Sequence, residues 1–313
     1  MRKMGSGRFS TTDWDSFTAR TTAGKSRDAV FSSRSLKDSL DPAKAKGLMR
    51  ESRDSADNPN STPIILGLDV TGSMGKIPDY MVREGLPAFF TNIYDRKPVT
   101  DPHVMFMGIG DVVCDRAPLQ VSQFEADIRI AEQLKDLYLE GGGGGNNCES
   151  YTLPWYFAAM HTATDAHEKH GKKGYLFTVG DEEVPAVLKA QEIERVMGVR
   201  PQIDFTAEQL LDLVSQKYHV FHVVVEQGSY YRGHPDQVRN SWRNILGQHV
   251  LMLSDYTKLS EVVVSAIQIV EGMHAADVAA SWGGDTALVV QKATHGLVPV
   301  TKSKGLRWFG GGR

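Results

Sequence analysis

The chain has 313 residues, 41 % of them apolar and 23 % charged, with a formal charge of −3. That profile is ordinary for a soluble globular protein of one large domain or two small ones, and it excludes a general pull toward nucleic acid or membrane. The two cysteines, Cys114 and Cys148, supply no disulfide framework.

The overall charge hides an asymmetry. Residues 1–60 carry twelve Lys/Arg against eight Asp/Glu, a net of +4, and the remainder carries 23 against 30, a net of −7. The N-terminus "MRKMGSGRFSTTDWDSF" has no apolar stretch of the kind a secretory signal needs, and no apolar run approaches the roughly 18 residues of a membrane helix. The expectation is a cytosolic protein that makes no membrane contact. Residues 1–61 read as a polar, basic arm, partly disordered or ordered by a partner, with a short helix starting near Pro42. "AGKS" at 23–26 lacks both the first glycine and the preceding strand of a phosphate-binding loop.

From residue 62 strands and helices alternate. "PIILGLDV" reads as a strand and "PDYMVREGLPAFFTNIY" as a helix interrupted at Gly85 and Pro87. "HVMFMGIGDVVC" and "LQVSQF" read as two strands, and "EADIRIAEQLKDLYL" as a helix. After "GGGGGNNCES" one helix is expected through "TLPWYFAAMHTATDAHEKH". "GYLFTVG", "HVFHVVVE" and "HVLMLSD" read as further strands, separated by helices at "TAEQLLDLVSQKY" and "PDQVRNSWRNIL" and followed by one at "TKLSEVVVSAIQIVEGM". Continuously apolar strands alternating with helices predict a three-layer, doubly wound α/β domain over 62–274, its sheet mostly parallel and covered on both faces. Residues 275–313 read as an extension with a helix broken at Gly283 and Gly284, then a basic tail containing Trp308 and Phe309.

In such sheets ligands bind beyond the carboxyl ends of the strands, and three polar clusters fall there. "LDVTGSMG" offers Asp69, Thr71 and Ser73. "GGGGGNNCES" offers Asn146, Asn147, Glu149 and Ser150, and "VGDEE" offers Asp181, Glu182 and Glu183. Asp at the end of a buried strand is costly unless its charge is compensated. Oxygen-only ligands suit a hard cation: Mg²⁺, with Mn²⁺ or Ca²⁺ accepted by the same oxygens. Thr71 and Ser73 would ligate directly, while Asp69 and Asp181 would act through water or hold the hydroxyls.

"LDVTGSMG" resembles the Asp-x-Ser/Thr-x-Ser signature of von Willebrand factor A (VWA) domains that carry a metal-ion-dependent adhesion site (MIDAS). The resemblance spans residues 62–272 and keeps the order of the three loops. The family's second-loop threonine has no counterpart here; Asn146 stands nearest to it, with Glu149 as its rival. The loop is similar to the Gly-rich one of some intracellular members, and "MGIGDV" places Asp111 as a residue supporting the ligands. The resemblance implies a protein-interaction module rather than an enzyme, in which a cation captures an Asp or Glu of a protein partner. The resemblance implies an AAA+ ATPase as the setting, and the basic arm itself suggests self-assembly by wrapping a neighbouring subunit.

Two other chemistries compete. "DVTGS" is similar to the phosphorylated loop of HAD-type phosphotransferases, with Asp69 as nucleophile and Lys172 or Lys173 steadying phosphate. A VWA-fold assembly protein with an empty metal site is the third reading. His161, His167 and His170 lack the companions of a zinc site and read as surface helix histidines. His219 and His222 read as packing residues, and Trp155, Tyr156 and Phe157 as core.

Overall fold

The computed structural model describes residues 7–44, 49–139 and 149–300. The first part of the chain forms helices α1 (Thr11–Phe17) and α2 (Arg27–Val30) and a short strand β1 (Arg50–Ser52). Strand β2 (Thr62–Asp69) leads through a tight turn into α3 (Ile77–Tyr80) and α4 (Leu86–Arg96), followed by β3 (Pro102–Ile109), β4 (Leu119–Val121) and α5 (Arg129–Leu134). Next come α6 (Thr152–His161), β5 (Thr162–Thr164), α7 (Asp165–Glu168), β6 (Gly174–Gly180), β7 (Val187–Leu188) and α8 (Ala190–Met197). The last part holds β8 (Phe205–Thr206), α9 (Ala207–Val214), β9 (Tyr218–Val225), α10 (Ser229–Gly233), α11 (Pro235–Leu246), β10 (Val250–Leu253), α12 (Leu259–Val270), α13 (Ala275–Ala280) and α14 (Gly284–Ala293).

Six strands form one sheet in the order β10-β9-β6-β2-β3-β4, parallel throughout except for the antiparallel β3–β4 edge. This is the expected three-layer, doubly wound α/β fold. Residues of one strand alternate between two helical layers, as a pleat of period two requires. Ile64, Leu66 and Leu68 enter the core shared with α4 and α12, whereas Ile65 joins Met105, Met107 and Ile109 under α6, α9 and α11. Both faces of the central strands are buried, which accounts for their unbroken apolar runs.

The arm is part of this core. Trp14, Phe17, Val30, Phe31 and Leu40 are buried within the first layer, and Trp14 leans on Phe90 at 5.2 Å between ring centroids. Their wide spacing among Ser, Thr and Arg conceals them in the sequence, because they do not come from one periodic helix. No helix starts at Pro42 among the described residues; turns occupy Lys37–Leu40 and Asp41–Lys44. The chain past residue 274 also belongs to the core, since Val278, Ala279, Val290 and Ala293 are buried beside α12. Residues 301–313, with Trp308 and Phe309, lie outside the described residues.

Three helices differ from expectation. α3 and α4 run on through a π-turn at Met81–Gly85, which absorbs Gly85 and leaves Pro87 in the first turn of α4, where its missing N–H costs nothing. The helix expected through residue 170 stops at His161, because Thr162–Thr164 pairs in parallel with β1. His170 then lies beyond α7, with Nε2 2.8 Å from Asp54 Oδ2. The helix expected from Glu125 is confined to Arg129–Leu134, since Glu125 bridges to Val104 at the sheet edge. No helix is long and apolar enough to cross a membrane among the described residues.

Trp14→Ala is expected to lower unfolding free energy in urea by about 3 kcal/mol, the usual order for emptying a large aromatic site. A loss of only a few tenths would show that the arm is not part of the folding unit.

Candidate metal centre

Strands β2 and β6 are parallel neighbours, with Leu68 opposite Val179. This register brings Asp69, the last residue of β2, beside the end of β6, after which Asp181 follows directly. Both carboxylates are fully buried, and two glycines make the room. A Cβ on Gly180 would come 2.1 Å from Tyr151 Oη, and one on Gly228 would come 2.2 Å from Asp181 Cβ and Oδ2.

The hydrogen bonds are divided by loop. Asp69 Oδ1 accepts from the Thr71 backbone N–H at 2.9 Å and from Thr71 Oγ1 at 2.6 Å. Asp69 Oδ2 accepts from Tyr151 Oη at 2.7 Å. Ser73 Oγ donates to Asp181 Oδ1 at 2.7 Å, and the Tyr230 N–H donates to Asp181 Oδ2 at 2.9 Å. The Thr71 and Ser73 hydroxyls stand 3.3 Å apart. Asp69, Thr71, Ser73 and Asp181 therefore come together at one point, Asp69 holding the Thr71 hydroxyl and Asp181 that of Ser73. Ser73 is only half-buried, so the open side of the cluster is the hydroxyl side.

Glu149 is also in this neighbourhood. It is 1 % exposed, and its Oε2 has no hydrogen-bond partner among the described residues. Burial pushes its carboxyl up to about 10, helped by the negative charges of Asp69, Glu182, Asp111 and Asp115. Burial likewise raises Asp69 to about 7, against the opposing hydrogen bonds of Thr71 and Tyr151. Glu182 rises to about 7 through burial and the same neighbouring carboxylates. The Tyr151 phenol is driven well above its ordinary value by burial and by Asp69 and Asp181, so it stays a donor.

These residues fit a divalent cation. A buried, unpartnered carboxylate oxygen beside two more buried carboxylates is an electrostatic debt that a cation cancels. No three Asp, Glu, His or Cys side chains form a cage by themselves among the described residues, so a site here depends on the Thr71 and Ser73 oxygens, as hard-cation chemistry allows. Asn146, Asn147 and Cys148 lie outside the described residues. Asp111 is buried, but its oxygens accept from the Val113 N–H at 2.8 Å and from Cys114 Sγ at 3.0 Å. It contributes negative charge to Glu149 without touching Asp69, Thr71 or Ser73 through a hydrogen bond.

Sequence reasoning missed Tyr151, Tyr230, Gly180 and Gly228. Tyr151 directly follows "CES" at a helix entry, and a tyrosine there was readable only as core. The residues proposed to steady phosphate are on the wrong end of the sheet: Lys172 and Lys173 precede β6, whereas Asp69 and Asp181 lie at the carboxyl ends. His222 is a packing residue, stacked on Trp242 at 3.5 Å between centroids with its Nδ1 2.8 Å from Thr178 Oγ1.

The raised acids give a pH test with a definite sign. A carboxyl whose folded-state pKa exceeds its unfolded value stabilises the fold while protonated, and that stabilisation fades as pH rises through the folded value. In chelator the thermal midpoint should fall between about pH 4 and 7, as Asp69 and Glu182 ionise. The rise in midpoint on adding Mg²⁺ should be larger at pH 8 than at pH 5, because binding displaces protons. An Mg²⁺-induced rise that shrinks with pH would contradict the centre.

No protein-family model matches the chain, and no curated protein does. Solved structures do. The pilus adhesin SpaC of Lactobacillus rhamnosus GG is similar at 9 % identity and TM-score 0.44, over 70 % of this chain and 32 % of that one. Proximal thread matrix protein 1 from the mussel byssus, with a zinc-occupied MIDAS motif, is similar at 11 % identity and TM-score 0.39, over 70 % and 48 %. A von Willebrand factor type A protein from Catenulispora acidiphila is similar at 14 % identity and TM-score 0.34, over 69 % and 44 %. The matches span under half the length of each of these proteins.

Proposed function

We propose that this protein is a metal-ion-dependent protein-interaction module rather than an enzyme. The observation that carries this reading is the junction of two loops at one point: Thr71 and Ser73 hydroxyls stand 3.3 Å apart, the first held by Asp69 at the end of β2 and the second by Asp181 just past the neighbouring β6. Thr71 and Ser73 would present oxygen directly to a Mg²⁺, Mn²⁺ or Ca²⁺ ion. Asp69 and Asp181 orient those hydroxyls, Tyr151 and the Tyr230 N–H orient the carboxylates, and Glu149 adds a further buried negative charge.

A cation bound among neutral hydroxyls supplies an electrophilic position for the Asp or Glu side chain of a protein partner. The half-buried Ser73 leaves that side of the cluster approachable. The arm borders it, since Arg27 Nη1 donates to the Gly75 carbonyl at 3.2 Å and Arg83 Nη1 donates to the Thr22 carbonyl at 2.7 Å. The described part of the arm is spent on its own domain, which favours capture of a partner carboxylate over arm exchange between copies. A cytosolic assembly, such as one with an AAA+ ATPase, is the setting we propose.

Calorimetric titration of chelator-treated protein with Mg²⁺ and Mn²⁺ tests the reading. We expect saturable binding at one site, weakened at least tenfold (about 1.4 kcal/mol) in both Asp69→Ala and Ser73→Ala. No binding by the wild type would leave a VWA-shaped scaffold with an empty site. Loss confined to Asp69→Ala, with phosphatase activity on a generic ester, would replace the module with a phosphotransferase.

A further inference from the structure

A second surface lies away from the metal centre. Strand β10 ends the sheet and is hydrogen-bonded to β9 alone among the described strands. Its outer side opens into a groove of about 640 Å³ between α11 and α14, a volume within the usual range of binding clefts. Val250 and Met252, both nearly buried, form the floor. Leu288 on α14 stands at the wall with 64 % of its surface exposed.

The walls are basic. Arg239 and Arg243 lie one turn apart on α11 and so share a face. Lys292 and His295 come from the opposite wall. Glu226 is the acidic side chain of the lining, and Lys292 already bridges to it. Arg239 pairs with Asp236 at 2.9 Å, an exposed contact at the rim, whereas Arg243 has no ion pair among the described residues. This positive groove sits on a body whose net charge past residue 60 is −7.

We infer that this groove docks an extended acidic segment of a protein partner, which adds alongside β10. The outward N–H and C=O groups of an edge strand bind the main chain of an added strand. Alternate carboxylates of that segment would pair with Arg239 and Arg243 in charge-assisted hydrogen bonds. The apolar residues between them would turn to the α14 side and cover Leu288. The lining holds no Phe, Tyr or Trp among the described residues on which bases would stack, and an apolar floor serves a peptide better than a phosphate backbone. The groove does not depend on the metal centre.

The test is fluorescence anisotropy in EDTA with a short labelled peptide alternating Glu and Val, read beside hydrogen exchange of the protein. Saturable binding is expected, with slowed exchange at residues 250–253. R239E/R243E should weaken it at least about tenfold, and so should Leu288→Asp, whose exposed position keeps the fold intact. Asp69→Ala should bind as the wild type does, which separates this surface from the cation centre. The inference fails if the peptide does not bind, or if a Lys-Val peptide binds equally. It also fails if neither variant weakens binding, if exchange at β10 is unaltered, or if an oligothymidylate displaces the peptide.

Discussion

Two buried carboxylates on adjacent parallel strands impose the central constraint. The parallel register of β2 and β6, with Leu68 opposite Val179, sends Asp69 and the Asp181 that follows β6 to the same edge, where each is removed from water and faces the other's charge. Such a pair is unfavourable unless every oxygen is supported. Donors come from Thr71, Ser73, Tyr151 and the Tyr230 backbone, that is, from three different segments. The glycines at 180 and 228 follow from the same demand, since a side chain at either would occupy the space of the donor or the acceptor.

The support on hand neutralises geometry but not charge. Hydrogen bonds satisfy the oxygens of Asp69 and Asp181, yet Glu149 is buried with an oxygen that has no partner among the described residues, and Glu182 lies half-buried nearby. The weakened acidity of three of these carboxyls expresses one fact: the upper edge of the sheet holds more negative potential than its own donors cancel. A bound cation would offset that potential, and the direction of its coupling to pH would come from the same cause.

Around this edge the rest of the chain acts as insulation. The helices of both layers exclude water from the strands, and the arm thickens the first layer with Trp14, Phe17 and Phe31 while touching the metal loop through Arg27. The helices past residue 274 complete the same layer near β10. They also build one wall of the basic groove, so a segment that looked like an appendage shapes a surface.

What the sequence determined by itself were the elements whose physics is local. Short unbroken apolar runs bounded by turn residues and alternating with longer helical stretches read as buried strands, and Asp-x-Thr-x-Ser places two hydroxyls and a carboxylate on one turn wherever that turn is put. The doubly wound layering followed from alternation, and the pairing of Asp69 with Thr71 needed nothing beyond two residues of chain. Tertiary structure decided the rest, because it rests on contacts between distant segments. Ser73 meets Asp181 only through the β2–β6 register. Tyr151 reaches Asp69 only because Gly180 vacates the space between them. The arm's aromatics, scattered without a period, acquire a face only when α4 is there to receive them. Burial, which no local pattern encodes for Glu149, is a property of the assembled layers, and it sets the charge of the site.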